Sequence, residues 1–190
     1  MRVRMNIRKS VFFAIIILVI AMTTISIVFV FWGDKMHLAR SSRILSEYIN
    51  QGKIENLSLV IYYFDPTILT LFPVSIDSLI AWANDNKITV NSVQLEENID
   101  LVNQMINTDL LRVRYGDDYS YIDARIYYVF ETKKGQKVFD VAMWCDARGD
   151  YESIVVNGVN VKTNEIFYHV ILPFLPEEAA KTLENYIGLG

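Results

Sequence analysis

From Val11 to Trp32 the chain reads VFFAIIILVIAMTTISIVFVFW, 22 residues without one charged side chain. A helix rises ~1.5 Å per residue and a bilayer's hydrocarbon core is ~30 Å thick, so a run of this length suits one membrane crossing. Its hydroxyl residues, Thr23, Thr24 and Ser26, can bond back to the helix's own carbonyls. Phe29, Phe31 and Trp32 fall at the far end, where aromatic rings favour the membrane interface. A cleaved signal peptide would carry a shorter apolar region, ~7–15 residues, closed by small residues. Here the run continues into Gly33-Asp34-Lys35 with no such site, so a retained signal-anchor is expected.

Charge sets the expected orientation. Arg2, Arg4, Arg8 and Lys9 precede the run, against Lys35, Arg40 and Arg43 in a comparable window after it. Basic residues collect on the cytoplasmic side. The expectation is a short cytoplasmic tail (1–10), an anchor (11–32), a juxtamembrane helix or stalk (33–52) and an extracytoplasmic domain (53–190) at the plasma membrane. The whole chain carries a formal charge of −4, with 18 basic and 22 acidic residues. Four of the basic residues lie before the run and none of the acids does, which leaves the part from Gly33 onward at −8. An acidic outer part argues against a nucleic-acid binder, which needs a positive surface to follow phosphates.

The segments after the anchor alternate between helical and extended signals. Asp34–Gln51 carries a partial apolar stripe through Met36, Ile44, Leu45, Tyr48 and Ile49, with Gly52 as its stop. Ile54–Phe64 is β-branched and aromatic on both faces and suits a buried strand. Ser75 or Asp77 caps a short helix that ends at Asn84-Asp85-Asn86, and Ile88–Val93 is a further candidate strand. Leu95, Ile99, Val102 and Ile106, at steps of four, three and four, predict one helix, followed by a short strand over Leu110–Arg114. Tyr121–Thr132 and Lys137–Cys145 form a predicted hairpin across Lys133-Lys134-Gly135-Gln136. Asn157-Gly158 is the preferred type I′ turn between Tyr151–Val156 and Val159–Val161. Thr163 caps a helix through Phe167 and Ile171, and Pro176 starts a last one. Strands in adjacent hairpins with helices grouped on either side predict an α+β domain with a mostly antiparallel sheet packed by helices.

An apolar helix running into an amphipathic one ahead of an α+β domain resembles the layout of type IV pilins. The likeness stops at layout: the pilin processing site is missing, and no acid occurs before Asp34 to supply the pilin glutamate.

Candidate chemistry is sparse. There is a single cysteine, Cys145, and two histidines, His37 and His169. One cysteine excludes an internal disulfide and any Cys-rich zinc site. Asp146, Asp150 and Glu152 could offer oxygen ligands to calcium, but their order differs from an EF-hand loop and Arg148 opposes a cation. Glu165 and His169, one helical turn apart, lack a third ligand. The acid pairs at 96–97 and 177–178 open helices, where the dipole favours them. No Walker loop, GxGxxG, GxSxG or HExxH is present. No catalytic, metal or cofactor site is therefore expected.

What remains is two apolar, proline-interrupted stretches, Thr67–Val74 and Ile166–Leu175. They either complete the core or present a surface to a partner, since contiguous exposed apolar patches mark interaction sites. The residues singled out for such a surface are Ile68, Leu71, Phe72, Phe167, Ile171 and Phe174. The leading expectation is a single-pass, non-enzymatic membrane protein whose outer domain binds a partner protein or an envelope component. The alternative is a small-ligand-binding or sensor domain with a cleft lined by Tyr62, Tyr127 and Trp144.

Overall fold

The first helix, α1, runs from Arg2 to Asn50, 49 residues without a break in a computed structural model of the chain. The structure describes residues 2–65, 68, 70–107, 109–114, 123–144 and 153–186; of the side chains, those of 2–10, 27, 30, 31, 144, 153 and 186 lie outside the description. The described side chains of the apolar run are exposed, and its hydroxyls bond to the helix itself. Thr23 donates to Val19 O at 3.0 Å and Thr24 to Ile20 O at 2.8 Å, and Ser26 donates to Met22 O at 2.9 Å. Among the described residues no helix is long and apolar enough to cross a membrane; the side chains of 27, 30 and 31, inside the apolar run, are not among them.

The chain divides into two compact units, Met1–His37 and Leu38–Gly190. The boundary between the units falls within α1, after His37. Leu38, Ser41, Ser42 and Leu45 of α1, at helical spacing, are buried, so the end of this helix is part of the second unit's core. Gly52, at φ 65°, closes the helix: Lys53 N donates to the Tyr48 carbonyl at 3.1 Å, the 6→1 bond of a Schellman end.

The second unit is built on a six-stranded, wholly antiparallel sheet in the order β2-β1-β3-β4-β5-β6. The strands are β1 (Leu57–Tyr63), β2 (Ile88–Val90), β3 (Ile126–Thr132), β4 (Lys137–Trp144), β5 (Ser153–Val156) and β6 (Val159–Val161). Alternation assigns the two faces. Leu59 and Ile61 of β1, Tyr128 and Phe130 of β3, Phe139 and Val141 of β4, and Ile154 and Val156 of β5 share the larger core. They pack with the end of α1, α3 (Ser92–Glu97), α4 (Ile99–Met105), α5 (Ile166–His169) and α6 (Glu177–Tyr186). Among the described residues, the other face, with Val60, Tyr127, Val129, Ala142 and Val155, meets α2 (Ile76–Ala83) and the segment that leads into it. The α+β architecture with a helix-packed antiparallel sheet is thus as expected.

Local chemistry accounts for the boundaries. Ser75 caps α2 by accepting from Ser78 N at 3.1 Å. Asn91 and Gln94 form a reciprocal capping box on α3, at 3.0 and 3.1 Å. The helix expected across Leu95–Ile106 is broken at Asn98. Its side-chain amide takes the Gln94 carbonyl at 3.1 Å, the acceptor its own backbone N–H would use in a continuous helix. The strand expected at Leu110–Arg114 shrinks to one bridge between Val113 and Val161. The strand expected from Ile54 opens instead with a 3-10 turn, Ile54–Asn56. Asn157 and Gly158, at φ 48° and 79°, form the expected left-handed turn pair.

Candidate functional site

Between β1 and α2 the chain leaves the sheet in an apolar loop, and two side chains just before β3 hold that loop in place. Val74 N donates to Asp123 Oδ1 at 2.9 Å, while Arg125 donates to Ile68 O at 3.0 Å and to Thr70 Oγ1 at 3.1 Å. The same guanidinium lies 2.8 Å from Asp123 Oδ2 and 5.4 Å from the centre of the Phe64 ring. Backbone bonds complete the frame: Phe64 N to Arg125 O at 2.8 Å and Ala124 N to Val74 O at 2.7 Å. Arg125 is buried, and its Nε has no hydrogen-bond partner. Burying a guanidinium is costly even when it is paired, so such an arrangement fixes position more than it adds stability.

What the frame positions is apolar and outward-facing. Leu71 is 96% exposed, Phe72 79% and Ile68 49%. Trp82 of α2, 57% exposed, packs at a tilt with its ring centre 5.9 Å from that of Phe64, the ring beneath Arg125. Covering a side chain such as Leu71 or Phe72 fully is worth about 1.5–3 kcal/mol. The loop holds no charge from Pro66 to Ile76, so it offers contact area without ionic attraction.

The other expected half of this surface is core. Phe167 and Ile171 are completely buried, and Phe174 is half-buried against the same cluster. Apolar packing in the larger core accounts for this, and Tyr128 ties the same elements together, its hydroxyl donating to the Phe167 carbonyl at 3.0 Å and contacting Met105 Sδ at 3.3 Å. The apolar character of Ile166–Leu175 therefore fills the interior rather than facing a partner. Thr67 and Leu69, in the first stretch, lie outside the described residues.

Beside the loop, the sheet's second face and α2 enclose a cleft of about 670 Å³. Ile76 and Ile80 form one wall, Tyr127 and Val155 the floor, and Lys137 and Asp140 one end. Asp140 is anchored through its backbone N–H, which donates to Asn157 Oδ1 at 2.8 Å. Its side chain is only 9% exposed, and Lys137 Nζ lies 3.2 Å from its Oδ1. That approach is a charge contact, since Oδ1 accepts no hydrogen bond. Burial, and then the Asp140 carboxylate within hydrogen-bonding reach, push the Tyr127 phenol well above its ordinary range. Of the three aromatics expected around a cleft, Tyr127 lines this one. Tyr62 stacks on Tyr127 at 6.0 Å without lining it, and the Trp144 side chain lies outside the description. Asp140 was not singled out from the sequence: an acid in an apolar strand (KVFDVAMW) was the available signal.

Among the described residues no group of three or more His, Cys, Asp or Glu side chains could hold a metal ion. Cys145 and the Asp146–Glu152 loop lie outside the described residues. Glu165 and His169 sit at the two ends of the short α5. Comparison of the chain with protein-family models, with curated proteins and with solved structures finds no match.

Proposed function

We propose that this chain is a single-pass membrane protein with a cytoplasmic N-terminus, whose outer α+β domain binds a partner protein without catalysing a reaction. The observation that carries the binding reading is the apolar tip of Ile68, Leu71 and Phe72, held out from the sheet by a buried arginine. A loop that only closed a gap between elements would turn such residues inward. The anchor rests on the 22-residue uncharged run within α1 and on hydroxyls satisfied by the helix itself, as a spanning helix requires. The orientation rests on the four basic residues before the run. A partner protein fits the tip better than an anionic lipid surface does, because the loop brings no basic residue and the outer part is acidic.

Two experiments test this. Photo-crosslinking from position 72 of the full-length chain in intact cells should give a discrete protein adduct, absent from position 97 and weakened by Arg125→Ala. Adducts confined to lipid would replace the partner protein by the bilayer surface. Protease added to intact cells should digest the C-terminal part; full protection beside a digested outer-face control would overturn the orientation.

A further inference from the structure

The cleft between α2 and the sheet is separate from the loop tip and has a chemistry of its own. Asp140, one of its lining residues, is nine-tenths buried, yet one carboxylate oxygen accepts no hydrogen bond. A buried acceptor without a hydrogen bond is costly to the fold, so a donor arriving there has a strong contact to make. The only cation near it, among the described residues, is Lys137, whose side chain is 58% exposed. Lys137 Nζ sits beside Oδ1 without making a hydrogen bond to it, so it can give way to a donor that makes one. Asp77 at the rim keeps the cleft's charge on the acidic side. The walls are aliphatic (Ile76, Ile80, Val155), and Tyr127 presents an aromatic ring. A cleft of about 670 Å³ lies in the range typical of small-molecule sites.

The geometry points to a binding site for a small amphipathic amine. Its ammonium takes the place of Lys137 Nζ and donates to Asp140 Oδ1, while its apolar body covers Ile76, Ile80 and Val155 against the Tyr127 ring. A carboxylate ligand would meet Asp140 and Asp77 and is excluded. A neutral ligand of the same shape keeps the apolar contact but loses the charged hydrogen bond.

Calorimetric titration of the full-length chain in lipid nanodiscs, with empty nanodiscs as the blank, tests this with three probes of one shape: 2-phenylethylamine, 2-phenylethanol and 3-phenylpropanoate. The amine should bind saturably, at least tenfold more tightly than the alcohol, and the carboxylate should not bind. Asp140→Asn should abolish the amine's advantage. Lys137→Gln, on a side chain that is 58% exposed, should tighten amine binding severalfold because the competing cation is gone. A purely structural Lys137–Asp140 pair predicts no such gain. Equal binding of amine and alcohol, or Lys137→Gln weakening the amine, would overturn the proposal, whatever the loop tip is found to bind.

Discussion

The guanidinium of Arg125 lies 2.8 Å from the carboxylate of Asp123, and between them the two side chains grip the preceding loop at Ile68 O, Thr70 Oγ1 and Val74 N. Removing the arginine leaves Ile68 O and Thr70 Oγ1 without their donor, and Asp123, which is one-third exposed, to find water. Arg125→Ala should therefore lower stability by about 3 kcal/mol, the low end of the range for breaking a buried pair. The urea midpoint measures this, and proteolysis within 66–74 should rise in parallel. Arg125→Lys retains the charge but cannot reach all three partners, so its loss should be intermediate.

Leu71 and Phe72 face solvent, while Phe167 is fully buried. Leu71→Ser and Phe72→Ser should leave the unfolding midpoint within about 0.5 kcal/mol of the parent, as exposed positions do. Phe167→Ala should lower stability by about 3–5 kcal/mol. Comparable losses at both places would mean that the loop tip is core after all.

Burial raises the phenol of Tyr128 well above its ordinary value of 10.0, and Tyr127 is raised by burial and then by Asp140. In the unfolded chain these phenols ionise near pH 10, while in the native state they keep their protons. The native state then binds more protons than the unfolded one, so stability falls as pH rises above 10 and is unaffected below it. Denaturation curves from pH 8 to 11 should show a flat region and then a decline, shallower in Tyr128→Phe and shallower still with Tyr127→Phe added. An equally steep decline in the double variant would assign the effect to other groups.

Gly158 stands at φ 79°, and a Cβ built there would meet nothing within 4 Å. Any penalty for Gly158→Ala is therefore torsional rather than steric against neighbours, about 1–2 kcal/mol. The thermal midpoint should drop accordingly, and Asn157→Gly should be tolerated better than Asn157→Val, since a β-branched residue resists positive φ.

The pattern of the sheet was legible because its signals are local. The Asn157-Gly158 turn, the Ser75 cap and the apolar alternation through Tyr128 and Phe130 each act over a few residues. Asn98 was a local signal as well, but its competition for the Gln94 carbonyl was masked by the apolar spacing on either side of it. The site depended on partners far apart in sequence. Ile68 and Arg125 are 57 positions apart, and no periodicity announces their contact. For the same reason Phe72 and Phe167 look alike in sequence, and what separates them is packing against residues far away in the chain, Tyr128, 39 positions from Phe167, among them.

The two faces of the sheet are covered unequally, by one helix on one side and by most of the others on the opposite side. This gives the molecule two clocks. Amides of β3, flanked by β1 and β4, can exchange with solvent only when the whole domain opens. The segment that carries Val74, Leu79 and Ala83 is fastened by the smaller apolar cluster and by polar contacts to Asp123 and Arg125, fewer ties than β3 has, so it should open more often than the strands do. The loop tip and one wall of the cleft both belong to that fast-opening part, so a molecule seated at either place would be read first as a slowing of exchange there.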